Sequence, residues 1–203
     1  PQPALSLRTH MAKSSQDKYP VPLIRDYGDL ASLVFEGKVY HVTNPTVGTA
    51  VVGQTSYAAT LATITLRNLG DRIMVPLYAD MVQSGTVAGG RIIFNTQVLE
   101  VDQFTSGTAL TVKNSNWRFG DQSGVLAYHT ATIPTLTTGN ARLVYSGEIF
   151  QTVSAANADN TLDAFKYPGF VAVRPKGGLN IYTNAATTGP GWSFNIAWAE
   201  LDV

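Results

Sequence analysis

Catalysis by this chain would have to rest on few side chains. Its three histidines, His10, His41 and His129, stand far apart, and no two have the spacing of a metal-ligand pair. His10 belongs to a polar leading segment. His41 and His129 fall in strand-like runs, where a lone histidine is expected to make a structural hydrogen bond. A Ser-His-Asp relay is assembled in space rather than in sequence, but the Gly-x-Ser-x-Gly elbow that can present its serine does not occur. Asp26/Asp29 and Asp159/Asp163 are carboxylate pairs of the kind that hydrolyse glycosides, and both lie in polar segments that read as solvated. The 14 acidic residues are spread along the chain rather than gathered into a calcium loop, and with no cysteine there can be neither a disulfide nor a zinc-thiolate site. Gly89-Gly90, Gly177-Gly178 and Gly189-Pro190-Gly191 read as turns, because none has the strand-before, helix-after setting of a phosphate loop. These residues predict no catalytic, metal or cofactor site, and the chain is not expected to be an enzyme.

Aromatic residues are the remaining source of recognition chemistry. Tyr182 and Trp192 flank the 184–191 loop, and Trp117 and Phe119 lie in the run NSNWRFGD at 114–121. Exposed rings of this kind could form a platform for a sugar. The competing expectation is that they fill the core or a subunit interface, and the phase of Trp192 and Phe194 favours it.

Strands must position all of these groups. Trp192, Phe194, Ile196 and Trp198 alternate with Ser193, Asn195, Ala197 and Ala199, the period-two pattern of a half-buried strand. Further strands are predicted over Val39–Val42, Thr60–Arg67, Arg72–Val82, Arg91–Val101, Val125–Ile133, Arg142–Val153, Tyr167–Val173 and Leu179–Thr183, with a turn at Ser106-Gly107. Pro76 is compatible with its strand only at an edge or a bulge. Eight to ten strands with almost no helix predict an all-β fold, a jelly-roll-like β-sandwich over residues 38–203. Residues 1–37 read differently, as an extended N-terminal arm. Tyr19-Pro20-Val21-Pro22 must be extended there, and Asp26–Phe35 predicts a short helix capped by Asp29.

The composition narrows the partners. Formal net charge is 0, from 14 basic and 14 acidic residues, and only 14% of the chain is charged. A phosphate backbone is bound through clustered lysine and arginine, which are missing, so nucleic acid is not an expected partner. No apolar run is long enough to span a bilayer, residues 1–19 do not read as a secretion signal, and no membrane is expected. A weakly charged surface does not keep monomers apart, which predicts self-association.

Four segments resemble small jelly-roll virion proteins of tailed bacteriophages. They are GKVYHVTNPTVGTAVVGQTSYAAT at 37–60, TITLRNLGDRIMVPLYADMVQSGTVAGG at 63–90, ARLVYSGEIFQTV at 141–153, and PGFVAVRPKGGLNIYTNAATTGPGWSFNIAWAEL at 168–201. The resemblance leaves residues 1–36 and 102–140 unmatched and brings no functional residues with it. It implies a jelly-roll subunit of a phage particle, either on the capsid surface or in the tail; the expected location is the capsid surface of the virion, with presence in the host cytoplasm during assembly. The leading expectation is a capsid decoration (cement) protein, a homotrimer bound to the major capsid protein. Tyr19, Pro20, Pro22, Leu23 and Ile24 of the arm are the expected capsid contacts. The alternatives are a tail or receptor-binding protein that holds a host surface glycan, and a single jelly-roll main capsid subunit.

Overall fold

The computed structural model describes residues 27–85, 89–135, 139–151, 161–165, 171–185 and 188–202. In chain order the elements are α1 (Tyr27–Phe35), β1 (Val39–Thr43), β2 (Val51–Val52), β3 (Leu61–Asn68), β4 (Ile73–Gln83), β5 (Gly90–Leu99) and β6 (Ser106–Leu110). They continue with β7 (Lys113–Asn114), β8 (Val125–Thr132), β9 (Ala141–Gln151), β10 (Thr161–Phe165), β11 (Gly178–Ala185) and β12 (Gly191–Leu201).

Pairing among these strands is nested. β1 lies antiparallel to β12, β3 to β11, β4 to β10, and β5 to β9. An antiparallel ribbon paired in this way and then rolled up places its strands in the orders β10-β4-β12-β1 and β3-β11-β5-β9. That is a jelly roll, and it establishes the all-β sandwich that the alternation predicted. Residues 100–140, which contain the stretch 102–140 outside the resemblance, are an insertion between β5 and β9. The insertion widens both sheets: β8 and then β6 extend one beyond β3, and β7 extends the other beyond β1.

Side chains from both sheets fill the interior. Trp192 and Trp198 of β12 are fully buried with Phe194 and Ile196, against Tyr40, Val42, Met74 and Met81 of their own sheet and Ile64, Leu66, Ile92, Leu179 and Ile181 of the other. Trp192 Nε1 donates to Thr183 Oγ1 at 2.9 Å, which satisfies the indole where water does not reach.

The opposite face of the β1–β12–β4 sheet is covered by α1. Leu30, Leu33 and Val34 pack on Val39, Val75, Leu77, Ala199 and Leu201, and the small side chain of Ala199 lets the helix approach the strands. Asp29 is not the helix cap. It lies in the first turn, where a carboxylate still opposes the positive end of the helix dipole. The other end closes on Gly37 at φ +71°, with Lys38 N donating to Leu33 O at 2.9 Å and Gly37 N to Val34 O at 3.0 Å. This pair of bonds is a Schellman cap, whose left-handed residue favours glycine.

Pro76 is inside the sheet, at a bulge. Ala197 faces Tyr78 and Trp198 faces Pro76, so Leu77 is the extra residue. β10 pairs β4 only from Ala79 to Val82, so Pro76 lies beyond that ladder. Two expectations are corrected. Ser106-Gly107 is not a turn but the start of β6, whose first four residues are exposed and therefore show no apolar alternation. The strand expected over Tyr167–Val173 is represented among the described residues by Val173, which bridges to Met74, while the strand paired with β4 comes earlier, at Thr161–Phe165.

Two polar clamps fix the insertion. Arg67 Nε lies 3.0 Å from both oxygens of Asp102, with the Arg67 guanidinium 4.2 Å from the centre of the Phe104 ring. Glu200, only 3% exposed, accepts from Ser123 Oγ, from Gly124 N at 3.0 Å and from Trp198 Nε1 at 3.2 Å. These contacts join the last strand to the turn that leads into β8.

Candidate interaction site

The aromatic pairs named from sequence separate into two environments. Tyr182 and Trp192 are fully buried, Tyr182 against Tyr57 with its hydroxyl donating to Ala59 O at 3.1 Å. The platform considered for a sugar at that end is therefore core. Trp117 and Phe119, by contrast, are 92% and 44% exposed, in a loop whose Asn116 Nδ2 reaches the carbonyl of Phe35, itself 75% exposed at the end of α1.

Hydrogen bonds hold this corner together. β7 pairs with β1 through Asn114–Tyr40 and Lys113–His41, which brings the 115–121 turn under the helix. The buried Asn114 donates through Nδ2 to Gly37 O at 2.8 Å and accepts from Asn116 N at 2.8 Å. Asn116 repeats the motif: its Oδ1 accepts from Arg118 N at 3.1 Å, and its Nδ2 donates to Val34 O at 3.2 Å and Phe35 O at 3.4 Å. Two successive Asx turns thus build the loop, and their amides reach carbonyls at the helix C-terminus, those of Gly37 and Phe35 and that of Val34, which also accepts from Gly37 N. Phe119 N closes the turn on Asn116 O at 3.0 Å. Both oxygens of Asp121 are engaged, by Asn114 N at 2.8 Å and Lys113 Nζ at 2.7 Å, and the Lys113 ammonium followed by that N–H holds the carboxyl below its usual range. The result is a fixed loop that presents the Trp117 ring to solvent.

Other candidate residues do not converge. His41 Nδ1 is 3.1 Å from Ser115 Oγ, while Asp121, the nearby carboxylate, is committed to Lys113 and Asn114. The serine, histidine and aspartate are thus neighbours without the hydrogen-bond order of a relay. His129 Nδ1 is 3.1 Å from Thr130 Oγ1, and burial pushes its pKa down. Each described histidine therefore has a local hydroxyl partner. Asp29 is exposed on α1, and Asp26, Asp159 and His10 lie outside the described residues. The expected arm contacts Tyr19, Pro20, Pro22, Leu23 and Ile24 also lie outside them. Among the described residues, no group of three His, Asp or Glu could hold a metal ion, and no helix is long and apolar enough to cross a membrane.

Phe35 was not singled out from sequence, because its role appears only when α1 and the 115–121 turn meet. The local signal was the Asn-Ser-Asn spacing at 114–116, which favours consecutive Asx turns.

Comparison with known proteins places no family on this chain. No family model matches it, and no curated protein does. Among solved structures, T=1 particles derived from infectious bursal virus align over 81% of this chain at 16% identity, with a TM-score of 0.19. The chain spans 40% of that protein's length. An overlap this loose carries no argument, and the jelly roll rests on the strand order alone.

Proposed function

We propose that this chain is a non-enzymatic structural subunit of a virus particle, and specifically a decoration (cement) protein on the capsid surface of a tailed bacteriophage. Jelly rolls serve as capsid subunits, as lectins and as cupins, so the step from fold to role is one of analogy. The observation that carries the reading is the state of the interior. Trp192, Trp198, Met74, Met81, Ile64, Leu66 and Leu179 are each under 2% exposed and occupy the space between the sheets. Recognition then falls to the outer surface, where a fixed aromatic corner is displayed. The resemblance of residues 37–90 and 141–201 to phage virion proteins points the same way.

In this role the protein works mechanically. A subunit that grips several capsid proteins at once gains effective concentration for each further contact, and so opposes their separation by packed genome. A homotrimer suits threefold positions of a shell, because a cyclic trimer closes through one repeated heterologous interface. Its partner would be the major capsid protein, and its place the virion.

Light scattering and electron microscopy of the purified protein test the reading against its structural rival. A decoration protein stops at a small oligomer, whereas a main capsid subunit closes into shells by itself. The receptor-binding alternative draws on the exposed Trp117 ring and requires saccharide binding that quenches its fluorescence. Closed shells or a saccharide-dependent quench would overturn the decoration reading.

A further inference from the structure

We infer that Thr65 Oγ1, Asn180 Oδ1 and Gln97 Oε1 form a binding site for one buried water molecule on the outer face of the β3–β11–β5 sheet. The inference is independent of the proposed role.

Register puts the three side chains in one row. Asn180 of β11 is the direct partner of Thr65 on β3 and of Gln97 on β5. Direct partners point to the same side of a sheet. Their chain neighbours Leu179, Ile181, Ile64 and Leu66 fill the core, so the row lies on the opposite face. That face is closed to solvent here. Asn180 is 0% exposed and Thr65 1%, and Oε1 of the half-buried Gln97 is cut off from solvent as well. Tyr57 packs on Tyr182, the next residue of β11 on this face, and Phe104 packs on Tyr128, the direct partner of Thr65 on its other side.

None of the three oxygens has a hydrogen-bond partner among the described residues. Buried polar atoms are nearly always paired, because one left open bears its full desolvation cost. Here three open atoms belong to neighbouring side chains. The Asn180 amide is held in its orientation. Tyr182 gives its one hydroxyl hydrogen to Ala59 O at 3.1 Å and therefore accepts from Asn180 Nδ2 at 3.2 Å, which leaves Oδ1 open. Gln97 Nε2 donates to Tyr57 OH at 3.2 Å, which leaves Oε1 open.

Water matches this set. It can donate to Asn180 Oδ1 and Gln97 Oε1 and accept from the Thr65 hydroxyl, and about three bonds are typical of a buried water. Two oxygens that share a tetrahedral water at ~2.8 Å each lie about 4.6 Å apart, close to the strand spacing of about 4.8 Å. A metal cation matches poorly. None of the three groups is a carboxylate, a hard cation takes about six or more oxygens, and Arg67 lies two residues along β3 on the same face. The water also closes a circuit that runs from Tyr57 through Gln97, the water, Asn180 and Tyr182 to Ala59. Both ends lie in the 57–59 segment, which is thereby tied to β5 and β11.

A nearly isosteric substitution gives opposite signs for a wet and a dry row. In a dry row Thr65→Val removes an unpaired buried hydroxyl, and the melting temperature rises. With water held there, the same change deletes one of its partners, and the melting temperature falls. The fall is the expected result. Oxygen-17 relaxation dispersion of the solvent gives a second readout, since it counts long-lived waters and is blind to exchanging hydroxyl protons. The wild type should show at least one such water, and Thr65→Val should show one fewer. A higher melting temperature in Thr65→Val overturns the proposal, as does a wild type without a long-lived water or a count that Thr65→Val leaves unchanged. Melting temperatures in sodium, potassium and choline chloride at one ionic strength should coincide. A rise with one metal ion that Thr65→Val abolishes overturns the proposal in favour of a bound cation.

Discussion

The ring of Phe119 lies over the α-carbon of Gly37, so close that a side-chain carbon on Gly37 would come 2.5 Å from the nearest Phe119 ring carbon. Gly37 also holds φ at +71° to cap α1. One glycine thus serves two contacts, the end of the helix and the seat of the aromatic loop. Gly37→Ala should cost about 1–2 kcal/mol for the left-handed backbone alone, and more for displacing the ring. In a domain of this size each kcal/mol lowers the melting temperature by roughly 2–4 °C. Calorimetry should show that fall, and Trp117 emission should shift because its loop has moved. An unchanged melting temperature would show that the ring and cap yield freely.

Glu200 should be equally intolerant of change. Its buried carboxylate gathers three donors, from Ser123, Gly124 and Trp198. Removing the acceptor leaves Gly124 N and Trp198 Nε1 without a partner, at about 1–3 kcal/mol for each one left buried, while Ser123 Oγ still reaches Val125 O at 3.1 Å. Glu200→Ala should therefore shift the urea midpoint well below the wild type. Glu200→Gln, which keeps one acceptor oxygen, should lie between them.

Arg67→Lys tests the other clamp. Lysine keeps the charge opposite Asp102 but loses the forked hydrogen bonds and the flat contact with Phe104. The insertion should be cut by protease faster in Arg67→Lys than in the wild type, while the other strands stay protected. Equal cutting rates would mean that Phe104 alone holds the segment.

Alkaline stability should depend on Tyr182. Burial pushes its pKa up to about 12, above the ordinary value of 10.0. The unfolded chain therefore loses this proton first as pH rises, and folding stability falls between about pH 10 and pH 12. Tyr182→Phe should flatten that part of the melting-temperature profile, while losing at neutral pH the bond to Ala59, worth about 1 kcal/mol. On the acid side the partly buried His129 acts in the opposite sense. Its pKa is depressed in the folded state, so its contribution is present above about pH 6.5 and is lost as pH falls through the folded value. His129→Gln should reduce that acid slope.

Much of the sandwich was legible in local pattern. The alternation of Trp192, Phe194, Ile196 and Trp198 reports a face buried against the other sheet, and of the two places open to Pro76, an edge or a bulge, the β4–β12 register shows the bulge. What stayed hidden depends on distant partners. Thr161–Phe165 is held by pairing with β4, and Ser106–Leu110 is an exposed edge, so neither shows the apolar alternation on which strand prediction depends. The nested order of pairs is likewise a property of the closed chain. The aromatic corner was half visible: Trp117 and Phe119 stood out by type, but their support, an amide bonded to a helix carbonyl 82 residues away, is a tertiary contact.

Sedimentation of the protein with undecorated capsid shells of tailed bacteriophages tests the proposed role most directly. The account predicts saturable binding at a fixed number of subunits per shell, and decorated shells that withstand heating better than bare ones. Protein that stays in the supernatant at every concentration, with shells of unchanged heat resistance, would contradict it.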